Sequence, residues 1–128
     1  MPFVRIELMK GKPAHFGRRV GEIVYQAMRS ANTIPTNDHF QVITEHDHDG
    51  LIYDPTYLDI ERSDDFLVIQ ITLNEGRTLQ AKKALYQEIA GRLHEALGVR
   101  KEDVFINLVE VKKENWSFGN GIAQYAQS

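Results

Sequence analysis

The sequence predicts an α/β (α+β) fold in which one β-α-β unit occurs twice along 128 residues. The first observation is that runs with the two-residue period of strands and the 3.6-residue period of helices come in the order strand, helix, strand, twice over. The second is that the two halves align at one offset: Ile34 and Asp38 precede Val99 and Asp103 by 65 positions each. We therefore expect a four-stranded mixed sheet with two helices on one face.

The first unit begins with alternating Val4, Ile6 and Leu8, the pattern of a strand with one buried face. Apolar residues at helical spacing from Phe16 to Ala31 then predict an amphipathic helix. A second strand is expected through Phe40 to Ile43. Within the unit the two strands should be parallel, with the helix as a right-handed crossover.

The second unit repeats this order. Residues Phe66 to Leu73 predict a strand, an apolar stripe from Ala81 to Leu97 predicts a helix, and Gly98 supplies the helix stop. Val104 to Val111 predict the last strand. The two repeats cover approximately 2–46 and 66–111, a C-terminal arm covers 112–128, and we expect the whole of 1–128 to form a single domain.

Both strands of the second unit are apolar at most positions on both faces, which is typical of a sheet buried on both sides. The chain has no third helix to cover the second face, so we expect other copies of the chain to cover it. The rival interpretation is a ferredoxin-like sheet, which shares the strand and helix order, can be antiparallel, and leaves one face wet.

Composition excludes several classes of function. The net charge of −3 provides no general attraction for nucleic acid, and the absence of cysteine excludes disulfides and thiol chemistry. No apolar stretch approaches the roughly 20 residues that span a bilayer. The default prediction is a cytoplasmic protein without nucleic-acid or membrane partners.

The long connection between the repeats contains EHDHDG at 45–50, which fits half of a calcium loop, but Thr56 stands where that loop needs a glutamate. His46 and His48 alone make an incomplete metal site. We interpret the segment as a solvated acidic turn, followed by a short strand at Leu51 to Tyr53, and we expect no metal and no cofactor.

Three residues are candidates for chemistry. Pro2 is either a tolerated first strand residue or, once Met1 is removed, an amino-terminal secondary amine that can exchange a proton. Arg77 comes just before a helix that Thr78 can cap, where an arginine can bind a carboxylate or simply be exposed. Asp38 has a repeat partner in Asp103, so a turn-forming role is at least as strong as a catalytic one.

Together, Pro2 and the segments YDPTYLDIERSDD, ITLNEGRTLQAKKALYQEI, GVRKEDVFINLVE and NWSFGNG resemble the tautomerase superfamily. The resemblance is closest to its larger-chain families, including the malonate semialdehyde decarboxylase group. It implies a homotrimer with active sites near subunit boundaries and a catalytic amino-terminal proline. By position it implies a catalytic role for Pro2, Arg77 and Asp38, and substrate binding by Arg77, Trp116, Phe118 and Tyr125.

The resemblance implies keto–enol proton transfer on a small 2-oxo acid, with Pro2 as general base and Arg77 as carboxylate anchor. The ordinary pKa of an α-amino group is about 8, and burial beside a guanidinium disfavours its cation. Glu75 stands where the decarboxylases have a second arginine, and a carboxylate there would repel an acidic substrate rather than neutralise it. Decarboxylation or hydration by a cationic Pro2 is therefore the alternative to keto–enol transfer. A non-catalytic oligomeric member of the fold is the other alternative.

Overall fold

Two β-α-β units form the fold of the computed structural model, which describes residues 2–31, 34–35 and 37–126. Buried apolar residues alternate along the two central strands, and apolar residues recur at helical spacing along each helix. The elements are β1 (Phe3–Met9), α1 (Phe16–Ser30), β2 (Gln41–His46), β3 (Leu67–Asn74), α2 (Leu79–Leu97) and β4 (Val104–Val111).

The four strands form one mixed sheet in the order β2-β1-β3-β4. Each unit contributes a parallel pair, β1 with β2 and β3 with β4. The two units meet through the antiparallel pair β1 and β3, with Ile6 opposite Ile69. The prediction of a mixed sheet with two parallel units is therefore confirmed, and the ferredoxin-like alternative is wrong.

Both helices pack on one face of this sheet and enclose the hydrophobic core. The side chains of α1 and α2 meet the inward-facing residues of β1 and β3, nearly all of them fully buried. In the described part of the chain, no helix has the length and apolarity to cross a membrane. The central core residues are Val4, Ile6, Leu8, Val20, Val24, Ile69, Ile71, Leu85, Ile89 and Leu93.

Three predicted strand positions need correction. The second strand runs over Gln41–His46 rather than Phe40 to Ile43, because its polar end continues to pair with β1 as far as Met9. The third strand runs over Leu67–Asn74, one residue later than predicted. Residues 51–53 form no strand, since side-chain bonds, such as the 2.7 Å bond from Tyr53 Oη to Asp64 Oδ1, order this loop instead.

The other face of the sheet carries apolar side chains that no element of the described chain covers. Because side chains alternate along a strand, the neighbours of the inward-facing residues point away from the helices. Val42, Phe105 and Val109 lie on that face and remain 40%, 47% and 38% exposed. One face of the sheet is thus buried and apolar, and the other is apolar in part and open.

Candidate active site

The candidate site lies at the sheet edge where β1 begins and β3 ends. Pro2 directly precedes β1 and is buried. Because β1 and β3 are antiparallel, the last residue of β3, Asn74, lies at this same edge. The N–H of Val4 donates to the carbonyl of Phe40 at 3.1 Å, which brings the segment that carries Asp38 beside the start of β1.

A cavity of about 270 Å³ opens between this segment and the C-terminal arm. Burial raises the pKa of Asp38, which is only 9% exposed, above its ordinary value. Burial and the Asp38 carboxylate also raise the pKa of Tyr125. The cavity therefore combines apolar walls with one carboxyl and one phenol group; its lining residues are Pro35, Asn37, Asp38, Phe40, Phe118 and Tyr125.

The C-terminal arm supplies a contiguous aromatic wall. The rings of Trp116 and Phe118 stack with centroids 5.4 Å apart, and Phe118 meets Tyr125 edge-on at 4.8 Å. The side chain of Gln124 fastens the arm, because its Oε1 accepts from the N–H of Phe118 and its Nε2 donates to the carbonyl of Gly119, both at 2.9 Å. The structure thus brings together the three aromatic residues predicted from the sequence.

Arg77 and Trp116 are joined through Asn74, a residue that sequence reasoning missed. The Arg77 Nη1 donates to the Asn74 carbonyl at 3.2 Å, and the indole Nε1 of Trp116 donates to the Asn74 Oδ1 at 2.7 Å. Burial lowers the pKa of the Arg77 guanidinium, which nonetheless remains cationic as arginine does in proteins. The hydroxyl of Thr78 accepts from the N–H of Ala81 at 3.1 Å, which confirms the predicted helix cap.

The two repeat-related aspartates have different surroundings. Asp103 is fully buried, and its carboxylate accepts from the N–H and hydroxyl of Ser63, each at 2.7 Å, and from Arg100 at 3.3 Å. It thereby ties the long connection to the start of β4. Asp38, by contrast, lines the cavity. The equivalence in sequence therefore does not extend to equivalent environments.

The other polar candidates lie away from this cavity. His46 contacts Glu7 at 3.1 Å on the open face of the sheet, and Lys10 pairs with Asp47 at 3.4 Å. The Nη1 of Arg62 donates to three backbone carbonyls between 3.1 and 3.3 Å away. These contacts order the long connection, and the Arg62 side chain is engaged there with backbone carbonyls.

Comparison with known proteins decides the family. The sequence profile of the family described as "Tautomerase enzyme" matches residues 38–119, which is more than half of the chain. The chain belongs to this tautomerase family. The matched region contains Asp38, Arg77, Trp116 and Phe118, whereas Pro2 and Tyr125 lie outside it.

Individual relatives agree with this assignment. The chain is 46% identical to the probable tautomerase YusQ of Bacillus subtilis (strain 168) over 124 residues, covering 97% of this chain and 98% of the relative. It is 32% identical, with a TM-score of 0.89, to FG41 malonate semialdehyde decarboxylase inhibited by 3-bromopropiolate, covering 96% and 93% of the two chains. A fused 4-OT solved as a symmetric trimer shares the fold, with a TM-score of 0.76, 18% identity and coverage of 98% and 99%.

Proposed function

We propose that this tautomerase interconverts the keto and enol forms of a small 2-oxo acid, with Pro2 as general base after Met1 removal. The observation that carries the proposal is the place of Pro2, which is buried at the end of the sheet beside the segment that carries Asp38. Met1 itself lies outside the described residues. A chemistry confined to moving one proton needs no cofactor and no metal.

Each group has a role that its surroundings support. The half-buried Arg77 binds the substrate carboxylate, because a guanidinium matches a carboxylate with two parallel hydrogen bonds. The neutral nitrogen of Pro2 takes the proton from the enol oxygen, and the same proton is then delivered to the neighbouring carbon as the carbonyl forms. Asp38 and Tyr125 bound the reacting end, while Trp116 and Phe118 face the organic chain.

The similarity to malonate semialdehyde decarboxylase favours a second candidate function, decarboxylation or hydration of a short oxo-acid. In that reaction Pro2 acts as a cation and Asp38 activates water. The direction of the pH profile separates the two, since a base loses activity as pH falls through its pKa and an acid loses activity as pH rises through it. The third candidate is a non-catalytic binding protein of the same fold.

The assembly belongs to the same proposal. We infer a homotrimer whose open sheet faces pack against neighbouring copies, with the cavities near the subunit boundaries. The exposed apolar residues of that face support it, and so does the trimeric fused 4-OT that shares the fold.

The first experiment is an intact mass measurement of the native protein, which must lack the methionine for Pro2 to act as an amine. Turnover of an aryl-pyruvate enol is then compared between the wild type, Pro2→Ala and Pro13→Ala. General acid–base groups contribute roughly 10²- to 10⁴-fold, so we expect a loss of that size for Pro2→Ala. Pro13 lies in the exposed loop before α1, and its substitution should leave activity unchanged. A retained methionine, or equal rates for Pro2→Ala and wild type, would refute the proposal.

A further inference from the structure

A short ion pair lies beneath the first turn of α2, next to the candidate site. The Nζ of Lys82 lies 2.6 Å from the Oε1 of Glu110, and the two side chains are only 25% and 31% exposed. The register explains the contact, because Glu110 of β4 pairs with Leu73, whose side chain faces the helices. By comparison, the surface pair of Lys10 and Asp47 is 3.4 Å long and far more exposed.

The carboxylate of Glu110 also contacts the turn that carries Arg77. It accepts a hydrogen bond from the backbone N–H of Gly76, which has a φ of 117° that glycine tolerates far better than other residues. The same turn is tied to β4 by the bond from the N–H of Glu75 to the carbonyl of Val111 at 2.9 Å. Glu110 therefore connects β4 to the residue directly before Arg77.

Two cations act on this carboxylate. The hydrogen bond and the charge of Lys82, together with the charge of Arg77, lower the pKa of Glu110 and keep it ionised. An ionised Glu110 attracts the guanidinium of Arg77, as a substrate carboxylate would. Lys82 offsets that attraction because it neutralises Glu110 at contact distance. Without Lys82, the attraction between Glu110 and Arg77 would compete more strongly with the substrate.

We propose that Lys82 and Glu110 are positioning residues for substrate binding: Glu110 holds the turn of Arg77, and Lys82 balances its charge so that Arg77 remains a receptor for a carboxylate. This inference rests on the proposed role of Arg77 as the carboxylate anchor. It adds a specific claim, that the affinity for anionic substrates is set by a lysine and a glutamate outside the cavity lining.

The test compares Lys82→Met, Glu110→Gln, the double variant and Lys82→Arg, with an aryl-pyruvate enol as substrate. For Lys82→Met we expect KM to rise roughly two- to fivefold with kcat nearly unchanged, the size of effect typical of one partly exposed charge. Adding Glu110→Gln should restore KM, because the uncompensated charge is then gone, and Lys82→Arg should remain near the wild type. Lys83→Met is the matched control, since it removes an exposed neighbouring charge and should change nothing.

A substrate without a carboxylate separates charge from folding. The methyl ester of the same enol should show equal KM for the wild type and Lys82→Met, whereas a distorted fold would affect both compounds. Titration calorimetry with cinnamate, a carboxylate that cannot enolise, measures binding without catalysis. The dissociation constants of the wild type and the variants should rank in the same order as their KM values. An unchanged KM in Lys82→Met, or a double variant as weak as the single one, would overturn the inference. If the wild type is inactive but the wild type and the variants still bind cinnamate with this ranking of affinities, only the proposed reaction is refuted.

Discussion

Asn74 shows how one residue can position two side chains of the candidate site. Its backbone carbonyl accepts from Arg77 and its side-chain oxygen accepts from the indole of Trp116, so the proposed carboxylate anchor and the aromatic wall share one residue at the end of β3. A half-buried indole N–H that loses its acceptor carries an uncompensated desolvation cost of roughly 1–3 kcal/mol. Truncation of the Asn74 side chain should therefore disturb the position of Trp116 more than that of Arg77, because Arg77 bonds to the backbone carbonyl of Asn74.

We predict that Asn74→Ala lowers kcat/KM about fivefold, because Trp116 is no longer held in place. This corresponds to roughly 1 kcal/mol of lost transition-state stabilisation. Trp116 is the only tryptophan of the chain, so its fluorescence emission reports the same change directly. Asn74→Asp keeps an oxygen acceptor at the same place and serves as the control, with emission close to the wild type. Identical emission spectra for all three proteins would contradict this role for Asn74.

Asp38 predicts a specific dependence of stability on pH. Burial raises its pKa above the ordinary 3.8, so the native state binds this proton more tightly than the unfolded state. The stabilisation by protonated Asp38 is complete below pH 3.8 and is lost as pH rises through the raised native pKa. We expect Asp38→Asn to increase the free energy of unfolding at neutral pH, with a gain that shrinks on acidification.

Chemical denaturation at several pH values measures this difference. Asp103→Asn is the matched substitution, because that buried carboxylate accepts bonds from Ser63 and Arg100. We expect it to destabilise the fold by roughly 1–3 kcal/mol, the cost of unsatisfied buried polar groups. A stabilising effect of Asp103→Asn, or a destabilising one of Asp38→Asn at neutral pH, would show that the two environments have been assigned wrongly.

These residue-level contacts also mark the limit of sequence reasoning. Arg77, Asp38 and the aromatic residues could be proposed because of their residue type and position. Asn74 and Trp116 are 42 positions apart, and Lys82 and Glu110 are 28 apart. Such pairs depend on the strand register and on the direction of each side chain, neither of which periodicity specifies.

At the scale of elements, α1 approaches the sheet closely where its first turn carries a glycine. A Cβ on Gly17 would lie 2.7 Å from the Cγ2 of Ile43 and 3.4 Å from the Cδ2 of Leu8. Isoleucine is β-branched and stiff about χ1, so it cannot move aside at low cost. Gly17 is therefore required by packing between α1, β1 and β2 rather than by its backbone angles.

We predict that Gly17→Ala destabilises the protein by about 1 kcal/mol, since an overpacking cost of roughly 1–3 kcal/mol exceeds the gain in helix propensity. Gly91→Ala in the middle of α2 is the control, because no atom outside its own helix backbone lies within 4 Å of the point that the added methyl group would occupy. That variant should instead gain roughly 0.5–1 kcal/mol from propensity alone. Urea unfolding measures both, and a stabilised Gly17→Ala variant would contradict the close approach.

Periodicity predicted the order and type of the helices and strands named above, because most of them have one face in the core. It misplaced the end of β2. Thr44, Glu45 and His46 show no apolar pattern there, and they belong to the strand because they pair with the last residues of β1. It also predicted a strand at residues 51–53, an apolar stretch that pairs with no neighbouring strand. Pairing partners, and not local composition, decide such short or polar segments.

At the scale of the whole molecule, the open face of the sheet sets the expected assembly. Phe105 is the aromatic residue of β4 on this face: it is 47% exposed, and its ring packs edge-on against Phe66 at 5.9 Å. Gln70 donates to Asn107 at 3.0 Å on the same face, so these two polar side chains are mutually bonded and can be covered at little cost. A face of this kind suits contact with a second copy of the chain.

We predict that Phe105→Glu converts the proposed trimer to a monomer, because three buried charges would each lack a partner in the assembly. Light scattering after size exclusion should give three times the chain mass for the wild type and for Phe105→Leu, which keeps the site apolar. If the cavities are completed by neighbouring copies, the monomeric variant should also lose turnover while its circular dichroism stays native. A wild type that elutes as a monomer would contradict the assembly, and a monomeric variant with full turnover would show that each site is complete within one chain.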